Sequence, residues 1–320
     1  MENFEYANPT TLKEALSLLT AGAEVLAGGT DLLSLLKDDV HQPKRLVNIK
    51  NIKTLGGIAK TGGNIRIGAT VTLDELASNQ LIRAAYPSLV QAALGVTSPQ
   101  IRNMGTVGGD LCQRPRCWYF RSGNGLLNKS LVENGENKYH AIFGSGSAHF
   151  VSASSLGPAL VALGATVKIA GADGKTKDVP ASQFFKAPAA EGEREIALAS
   201  NEIVTEILVP ASPTKNATYE VRHKQALDWP LATASVALRM AGTKVTSASI
   251  TLGHVGPTPV RATEAEKMLV GQTITADSAE KAGAAAVAGA QPLSQNAYKV
   301  QLAKVAVKRA LLTAAGVKAV

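Results

Sequence analysis

The chain has 320 residues, of which 45% are apolar and 18% charged, with 33 lysines and arginines against 25 aspartates and glutamates. This balance is typical of a folded globular protein with one large or two ordinary domains, and it excludes intrinsic disorder, collagen-like repeats and a coiled coil. The net charge of +8 is spread along the chain without a basic run, and aromatic residues make up only 4%, so no nucleic-acid partner is expected.

The cysteine count and the apolar segments exclude further classes of protein. Cys112 and Cys117 are the only cysteines, and they are too close in sequence for a secreted disulfide framework. The N-terminal stretch is acidic and has no apolar run, so we expect no signal peptide. No segment approaches about 18 consecutive apolar residues, so we expect no membrane span. The cytoplasm is the default location on these grounds.

Helices and short strands alternate in the first quarter of the chain. Thr11 and Glu14 have capping-box spacing ahead of apolar residues at helical intervals, which predicts an amphipathic helix. A second helix is predicted after the glycine pair at 28–29, capped by Thr30 or Asp31, and a third begins at Thr72. The predicted strands span 24–26, 45–49 and 64–68. The alternation favours a mixed α/β arrangement.

Residues 95–150 lack periodicity and are rich in glycine, asparagine, arginine and proline. The segment is too long for an ordinary connection, which indicates a working part of the protein rather than a linker. After it, 167–170 and 176–179 flank a turn and predict a hairpin. The following stretch, 181–200, is predicted to be a surface connection.

The second half of the chain is predicted to place strands before helices. Strands are predicted at 203–209, 219–223, 232–240 and 244–253, and the Gly242 joint suits an antiparallel meander. Thr263 and Glu266 have capping-box spacing, and 295–314 repeats apolar residues at helical intervals, so helices are expected to pack on the meander. The helix at 295–314 is either a solvated amphipathic helix or a face for a partner.

Two glycine-rich segments in the first half are candidates for ligand binding. In Ala27–Asp31, between a predicted strand and a predicted helix, backbone N–H groups and a helix start could bind a pyrophosphate. A purely structural joint fits that segment equally well, because neither a Walker A pattern nor GxGxxG is present. Ile101–Asp110 contains a second glycine pair with polar neighbours. Two such loops together favour a phosphate-containing ligand held at both ends.

Across essentially its whole length, the sequence resembles the FAD-binding medium subunit of the molybdenum hydroxylases, the group of xanthine dehydrogenase, aldehyde oxidoreductase and carbon monoxide dehydrogenase. Seven stretches carry the resemblance in order: AGGTDLL at 27–33, IRNMGTVGGDL at 101–111, QRPRCWYFR at 113–121, HAIFG at 140–144, SLGPALVALGA at 155–165, EIVTEILVP at 202–210 and RHKQALDWPLA at 222–232.

The resemblance implies an α+β (mixed α/β) fold in two domains. Residues 1–210 would form an FAD-binding region of the vanillyl-alcohol-oxidase-like type, with lobes of about 1–55 and 56–210. Residues 211–320 would form a C-terminal α+β domain of the carbon monoxide dehydrogenase flavoprotein type, with an antiparallel sheet and helices. His254 resembles the end of a strand in that domain and is expected to be structural.

The same resemblance assigns residues to FAD. The loop at 27–31 would cradle the pyrophosphate through backbone N–H groups, and Thr106, Gly109 and Asp110 would contact the diphosphate and the ribityl chain. Val204 would line the isoalloxazine pocket. Lys224, with Asp228 nearby, would lie beside the flavin ring, where a cation favours the anionic reduced flavin; the alternative for Lys224 is a solvated strand lysine. The implied cofactor-binding residues are Ala27, Gly28, Gly29, Thr30, Asp31, Leu32, Asn103, Thr106, Gly108, Gly109, Asp110, Gln113, Ser155, Val204 and Lys224.

Two positions depart from the family pattern in the cofactor-binding region. Relatives usually have Asn where this chain has Asp110, and His-Pro-Ser-Asp where it has the four residues Ser152–Ser155. In those relatives the Asp bonds to the cofactor. Ser155 can form a hydrogen bond but supplies no charge, which puts the affinity for FAD in question.

A third departure concerns iron. The QRPRCWYFR stretch resembles the family branch that carries a 4Fe-4S cluster on four cysteines, with Cys117 at the first ligand position. Leu127 and Ala148 stand where that branch has further cysteines, and the segment 131–137 is shortened. A cluster needs four thiolates, so we expect no iron-sulfur centre and no metal site in this chain. His140 and His149 are expected to be hydrogen-bonded loop histidines rather than substitute ligands.

The resemblance implies an FAD-containing, electron-transferring oxidoreductase subunit. Its expected partners are a large subunit with the molybdenum cofactor and a small subunit with 2Fe-2S clusters, and its acceptor would be NAD, oxygen or another molecule. A periplasmic location by co-export with a partner is the alternative to the cytoplasm. Two other functions are kept: a cofactor-poor assembly subunit, suggested by the departures, and a free-standing flavoprotein oxidoreductase, disfavoured because no catalytic base or nucleophile is found near the predicted pocket.

Overall fold

The computed structural model describes residues 1–96, 98–144, 146–212, 214–223 and 228–318. The strands are β1 (Glu5–Ala7), β2 (Ala23–Leu26), β3 (Arg45–Asn48), β4 (Ile58–Thr61), β5 (Asn64–Gly68), β6 (Thr166–Gly171), β7 (Thr176–Pro180), β8 (Glu202–Pro210), β9 (Lys215–Val221), β10 (Ala232–Ala241), β11 (Lys244–Gly253) and β12 (Val260–Arg261). They form three sheets of three, five and four strands.

The helices lie between and after these strands, and several have the capping residues that the sequence indicates. They are α1 (Leu12–Leu18), α2 (Leu32–Lys37), α3 (Leu73–Ser78), α4 (Gln80–Ala85), α5 (Pro87–Gly95), α6 (Pro99–Met104), α7 (Val107–Cys112), α8 (Trp118–Arg121), α9 (Lys129–Asn134), α10 (Gly157–Ala162), α11 (Ala181–Phe184), α12 (Thr263–Leu269), α13 (Ala276–Ala286) and α14 (Tyr298–Ala315). A short 3-10 helix spans Lys53–Leu55.

The first sheet is parallel, in the order β1-β3-β2, with α1 packed on it. Helix α1 begins as predicted, because the Thr11 hydroxyl accepts the backbone N–H of Glu14 at 3.2 Å. Ala15 and Leu16 on its inner face pack with Val47 in a small apolar cluster. Strand β1 has no amphipathic pattern and was not predicted; its pairing with β3 is a tertiary contact.

The second sheet is antiparallel, in the order β4-β5-β8-β6-β7. Its central strand β8 comes late in the chain, so the long segment between β5 and β6 leaves the sheet and returns to it. Helices α3, α5, α7 and α10 in that segment pack on the sheet in the largest apolar cluster. The predicted hairpin at 167–179 is present as β6 and β7.

The third sheet is the predicted antiparallel meander, in the order β12-β11-β10-β9. Helix α14 packs on β9 and β10, and α5 and α10 from the preceding part of the chain contact the same sheet. Because strand β10 is covered on both faces, its residues 232–238 are buried without alternation. The sheet thereby joins the C-terminal helices to the second sheet's helical layer.

Three local predictions are wrong in detail. Thr263 does not cap α12: it lies inside the helix, and the Glu266 carboxylate instead accepts the backbone N–H of Ile250 at 2.9 Å and pairs with Arg261. The predicted strand 219–223 is β9, which begins and ends earlier. The stretch 181–200 is not a plain surface connection, because α11 and Ile196 are anchored in the core.

No helix in the described part of the chain is long and apolar enough to span a bilayer.

Candidate functional site

The first glycine loop joins β2 to α2 and can form only with glycine at two positions. Gly29 has φ +72°, in the left-handed region that side chains rarely adopt. A Cβ atom on Gly28 would lie 1.9 Å from the carbonyl oxygen of Met104. The first loop therefore packs directly against the backbone that leads into the second glycine loop.

The second glycine loop lies between α6 and α7 and is held on its other side by the start of α3. The backbone N–H of Leu73 donates to the Gly105 carbonyl at 2.9 Å, and the N–H of Val107 donates to Val71 at 2.8 Å. The Thr106 hydroxyl accepts the N–H of Gly109 at 3.1 Å and caps α7. A Cβ on Gly108 would lie 2.9 Å from that of Ala69, so this loop also needs glycine for close packing.

The first loop presents a row of free backbone donors. Among the described hydrogen bonds, none has the backbone N–H groups of residues 28–32 as donors, although those residues line a cavity. Successive N–H groups at a loop-to-helix junction form a concave, partly positive surface that suits an anion. The donor set fits a diphosphate, as the sequence predicts for this loop.

The cavity, of about 290 Å³, brings together most of the residues assigned to FAD from the sequence. Those that line it are Ala27, Gly28, Gly29, Thr30, Asp31, Leu32, Thr106, Gly108, Gly109, Asp110, Gln113, Ser155, Val204 and Asp228. Asn103 does not line the cavity, because its side chain is exposed on α6. Lys224 lies outside the described residues.

The Asp31 carboxylate is bonded to other residues of the protein. It lies 2.7 Å from the Arg121 guanidinium and 3.0 Å from that of Arg116, and it accepts the backbone N–H of Arg114 at 2.7 Å. Asp31 was predicted as a possible cap of α2, but it forms no side-chain capping bond there. It fastens the segment 114–121 against the first glycine loop.

The Asp110 carboxylate is buried and likewise turned into the protein. It accepts hydrogen bonds from the Ser154 hydroxyl at 2.6 Å, from the backbone N–H groups of Leu156 and Ser155 at 2.9 and 3.1 Å, and from the Gln113 amide at 3.0 Å. Burial raises the pKa of Asp110, and these hydrogen bonds oppose the rise. Asp110 therefore joins α7 to the start of α10 on one wall of the cavity.

Several cavity residues were not found from the sequence. Glu24 accepts a hydrogen bond from His41 at 2.9 Å; burial acts to raise the pKa of Glu24, but His41, Arg194 and Arg114 outweigh it and lower the pKa. No sequence motif marks Glu24, His41 or Arg194 as functional, because each lies in an ordinary strand or loop.

Two further cavity residues were visible in the quoted stretches but received no role. Trp229 lies in the RHKQALDWPLA stretch, and the Arg116 guanidinium is stacked 4.2 Å from the centre of its ring. Cys112 lines the cavity as well, and burial raises the pKa of its thiol to about 12, so the thiol is neutral.

Cys117 lies in a buried cluster beside a histidine and an asparagine. Its sulfur lies 3.1 Å from Nε2 of His140 and 3.6 Å from the Asn128 amide, in a buried apolar cluster. Burial raises the pKa of the thiol and lowers that of His140 to about 4, which describes a neutral thiol–imidazole hydrogen bond. His149 pairs with Glu133 at 3.1 Å. Within the described residues no group of three metal-ligating side chains occurs.

Comparison with known proteins places the chain in one family. The model of the FAD-binding domain in molybdopterin dehydrogenases matches residues 2–212, and that of the carbon monoxide dehydrogenase flavoprotein C-terminal domain matches residues 217–314. The carbon monoxide dehydrogenase medium chain of Hydrogenophaga pseudoflava is 32% identical over 316 residues, 96% of each chain. The aldehyde oxidoreductase FAD-binding subunit of Escherichia coli K12 is 29% identical over 95% of this chain and 96% of its own.

Solved structures of related proteins have the same fold as this chain. A chain of carbon monoxide dehydrogenase from Hydrogenophaga pseudoflava, in a form that lacks the Mo-pyranopterin moiety, has a TM-score of 0.78 and 30% identity, covering 98% of this chain and 97% of its own. A chain of quinoline 2-oxidoreductase from Pseudomonas putida 86 has a TM-score of 0.79 and 25% identity, covering 98% of both chains. With its paired glycine loops and its matches over nearly the whole length, the chain belongs to the family of FAD-binding subunits of molybdopterin dehydrogenases.

Proposed function

We propose that this chain is the FAD-containing electron-transfer subunit of a multisubunit molybdenum hydroxylase. A large subunit carries the molybdenum cofactor and oxidises the organic substrate, and a small subunit carries 2Fe-2S clusters. This chain receives their electrons and delivers them to NAD, oxygen or another acceptor. The observation that carries the proposal is the pair of contacting glycine loops, with the row of free backbone N–H groups at 28–32 facing the cavity.

The chain's own residues bind and orient the cofactor. The N–H groups of the first glycine loop would hold the diphosphate, and Thr106 would keep the second loop in place through its bond to Gly109. Ser155 and Val204 supply one polar and one apolar wall of the cavity, and Asp228 lies with Trp229 at another part of the lining. Lys224 is proposed to lie beside the flavin ring. FAD, when bound, supplies the redox chemistry, taking up electrons from one partner and giving them to another.

No acid–base residue of this chain is required to act on the organic substrate, because that reaction belongs to the large subunit. Several charged residues of the cavity are held by partners: the Asp31 carboxylate by arginines, and the Glu24 carboxylate by a hydrogen bond from His41. These contacts keep the cavity wall in place and leave the chemistry to the cofactor. This distinguishes the proposed function from that of a free-standing flavoprotein oxidoreductase, which needs its own catalytic base.

The three sheets support a division of the chain into an FAD-binding region at 1–210, with lobes at 1–55 and 56–210, and a C-terminal domain at 211–320. The first sheet ends before residue 55, the second occupies 58–210, and the third begins at Lys215. The cavity is lined by residues of all three parts, so the C-terminal domain contributes to the site through Asp228, Trp229 and Pro230. We propose the cytoplasm as the location of the complex.

The test is an absorption spectrum of the purified chain, followed by heat release and identification of any yellow ligand. The expected result is an oxidised-flavin spectrum and about one FAD released per chain, as the chemistry of a resident cofactor requires. A colourless protein that also fails to take up added FAD would contradict the proposal and favour an assembly role.

A second experiment tests the role in electron transfer. The chain is mixed with its two partner subunits, and bleaching of the flavin band by the organic substrate is followed without oxygen. Bleaching is expected only when both partners are present. Bleaching by the substrate with this chain alone would instead identify a free-standing oxidoreductase.

A further inference from the structure

Asp110, on the helix that follows the second glycine loop, is in direct contact with Ser155 at the start of α10. The Asp110 carboxylate accepts the backbone N–H of Ser155 at 3.1 Å and that of Leu156 at 2.9 Å. The hydroxyl of Ser154 donates to the same carboxylate at 2.6 Å and accepts the N–H of Gly157 at 2.9 Å. One carboxylate therefore organises the whole turn 154–157 that begins α10.

Ser155 is buried, yet its hydroxyl is available to a ligand. The residue lines the cavity, and none of the described hydrogen bonds involves its Oγ atom. Its backbone is fixed by Asp110, so the direction of its side chain depends on a residue of the second glycine loop's helix, α7. A hydroxyl held in this way can bind a hydroxyl or phosphate oxygen of a ligand without first being ordered, which favours binding.

The charge at Asp110 is held by hydrogen bonds rather than by an ion pair. In the described part of the chain, no lysine or arginine forms a salt bridge with its carboxylate, and the other buried carboxylate nearby, Glu220, is paired with Arg222. A second carboxylate at position 155 would be added beside a negative charge that has no counter-ion. Like charges in such a place repel each other strongly.

We propose that Asp110 is a positioning residue for FAD and that it is coupled to Ser155. Because position 110 carries a carboxylate, position 155 requires a neutral side chain such as the serine hydroxyl. The inference rests on the proposed function and deepens it, because it names how this chain forms one wall of its cofactor site. Asp110 thus acts on FAD through Ser155 and the turn 154–157, not by touching it.

The test is a double-mutant cycle in the full-length chain, with the dissociation constant of FAD for the apoprotein measured by flavin fluorescence. Asp110→Asn replaces one of the two acceptor oxygens by an NH2 donor, although the N–H groups of Ser155 and Leu156 both need an acceptor. Ser155→Asp adds a second negative charge beside Asp110. Each single change is expected to weaken FAD binding about tenfold or more, the usual effect of disturbing a hydrogen-bonded buried charge. In the double variant the carboxylate at position 155 no longer faces a second negative charge, so Ser155→Asp is expected to weaken FAD binding less in the Asp110→Asn background than in the wild type.

Two further variants separate cofactor positioning from folding. Ser155→Ala leaves the backbone bond to Asp110 intact, so it is expected to weaken FAD binding with an unchanged melting temperature of the apoprotein. Glu266→Gln is the matched control, because Glu266 is also a buried carboxylate that accepts a backbone N–H, but it lies away from the cavity. It is expected to lower the melting temperature and leave the affinity for FAD unchanged.

The outcomes distinguish this inference from the proposed function. A wild-type chain that binds no FAD would overturn both. A wild-type chain that binds FAD, with effects of Asp110→Asn and Ser155→Asp that simply multiply in the double variant, would overturn the coupling alone. Unchanged FAD binding in Ser155→Ala would overturn the role given to its hydroxyl.

Discussion

The guanidinium of Arg116 is stacked on the indole of Trp229, with 4.2 Å between its central carbon and the ring centre. The same guanidinium lies 3.0 Å from the Asp31 carboxylate in the first glycine loop. Trp229 belongs to the C-terminal part of the chain, so this arrangement ties that part to the loop that is expected to hold the diphosphate. A cation stacked on a partly exposed ring contributes about 1 kcal/mol.

We predict that Arg116→Ala exposes Trp229 to solvent. In a Trp118→Phe background Trp229 is the only tryptophan, and its fluorescence is expected to be quenched more strongly by the neutral quencher acrylamide once the covering guanidinium is gone. Arg309→Ala is the control, because Arg309 stacks on Tyr219 and not on a tryptophan. Equal quenching in the Arg116→Ala and Arg309→Ala proteins would show that the stacking does not cover the ring.

Gly28→Ala is predicted to abolish FAD binding and to destabilise the chain. The added methyl group would lie 1.9 Å from the Met104 carbonyl oxygen, so the two glycine loops must separate. A destabilisation of about 3 kcal/mol is expected, the upper end of the usual cost of overpacking. FAD content and melting temperature are the measurements. Gly289→Ala, which adds a methyl group into open space, should leave both unchanged, and a yellow Gly28→Ala protein would contradict the prediction.

The sequence predicts the local elements well because their signals are local. The spacing of Thr11 and Glu14 is reproduced by a bond between them, and the hairpin at 167–179 follows from its strands and turn. The two glycine loops were identified for the same reason. Their mutual contact was not predicted, since nothing local to Gly28 reveals that Met104 lies against it.

The parts that could not be predicted are those in which a distant partner competes for a side chain. The carboxylate of Asp31 was a possible helix cap, but three arginine residues of the segment 114–121 bind it instead. Glu266 has capping-box spacing, yet the N–H of Ile250 takes its carboxylate. Asp110 and Ser155 were two separate departures in the sequence, and only the fold shows that they touch.

Purified chain is predicted to contain no iron-sulfur cluster. Only two cysteines are present, and the sulfur of Cys117 is engaged by His140 and Asn128 in a buried cluster. A 4Fe-4S cluster needs four ligands, which this chain does not offer as thiolates. An iron assay on anaerobically purified protein is the measurement, with the flavin content as its internal standard. About four irons per chain would contradict the prediction.

His254 is predicted to make the protein less stable in acid. Its ring is buried, Nδ1 lies 3.0 Å from the Thr233 hydroxyl, and a backbone contact with Ala153 acts to raise its pKa. Burial lowers the pKa of His254 to about 3, with the charges of Lys299 and Arg222 acting in the same direction. An unfolded histidine has a pKa of about 6.5, so between these values the unfolded chain binds the extra proton.

The stability supplied by a neutral His254 is therefore fully present above pH ~6.5 and is lost as the pH falls towards about 3, at up to about 1.4 kcal/mol per pH unit. Urea unfolding at a series of pH values measures the loss. His254→Asn is the comparison, since Asn tolerates the residue's φ of 59° and does not titrate. The free energy of unfolding of the wild type should fall more steeply with acid than that of His254→Asn, because other groups titrate equally in both. Parallel curves would mean that the imidazole is protonated within the fold without cost, and would contradict the prediction.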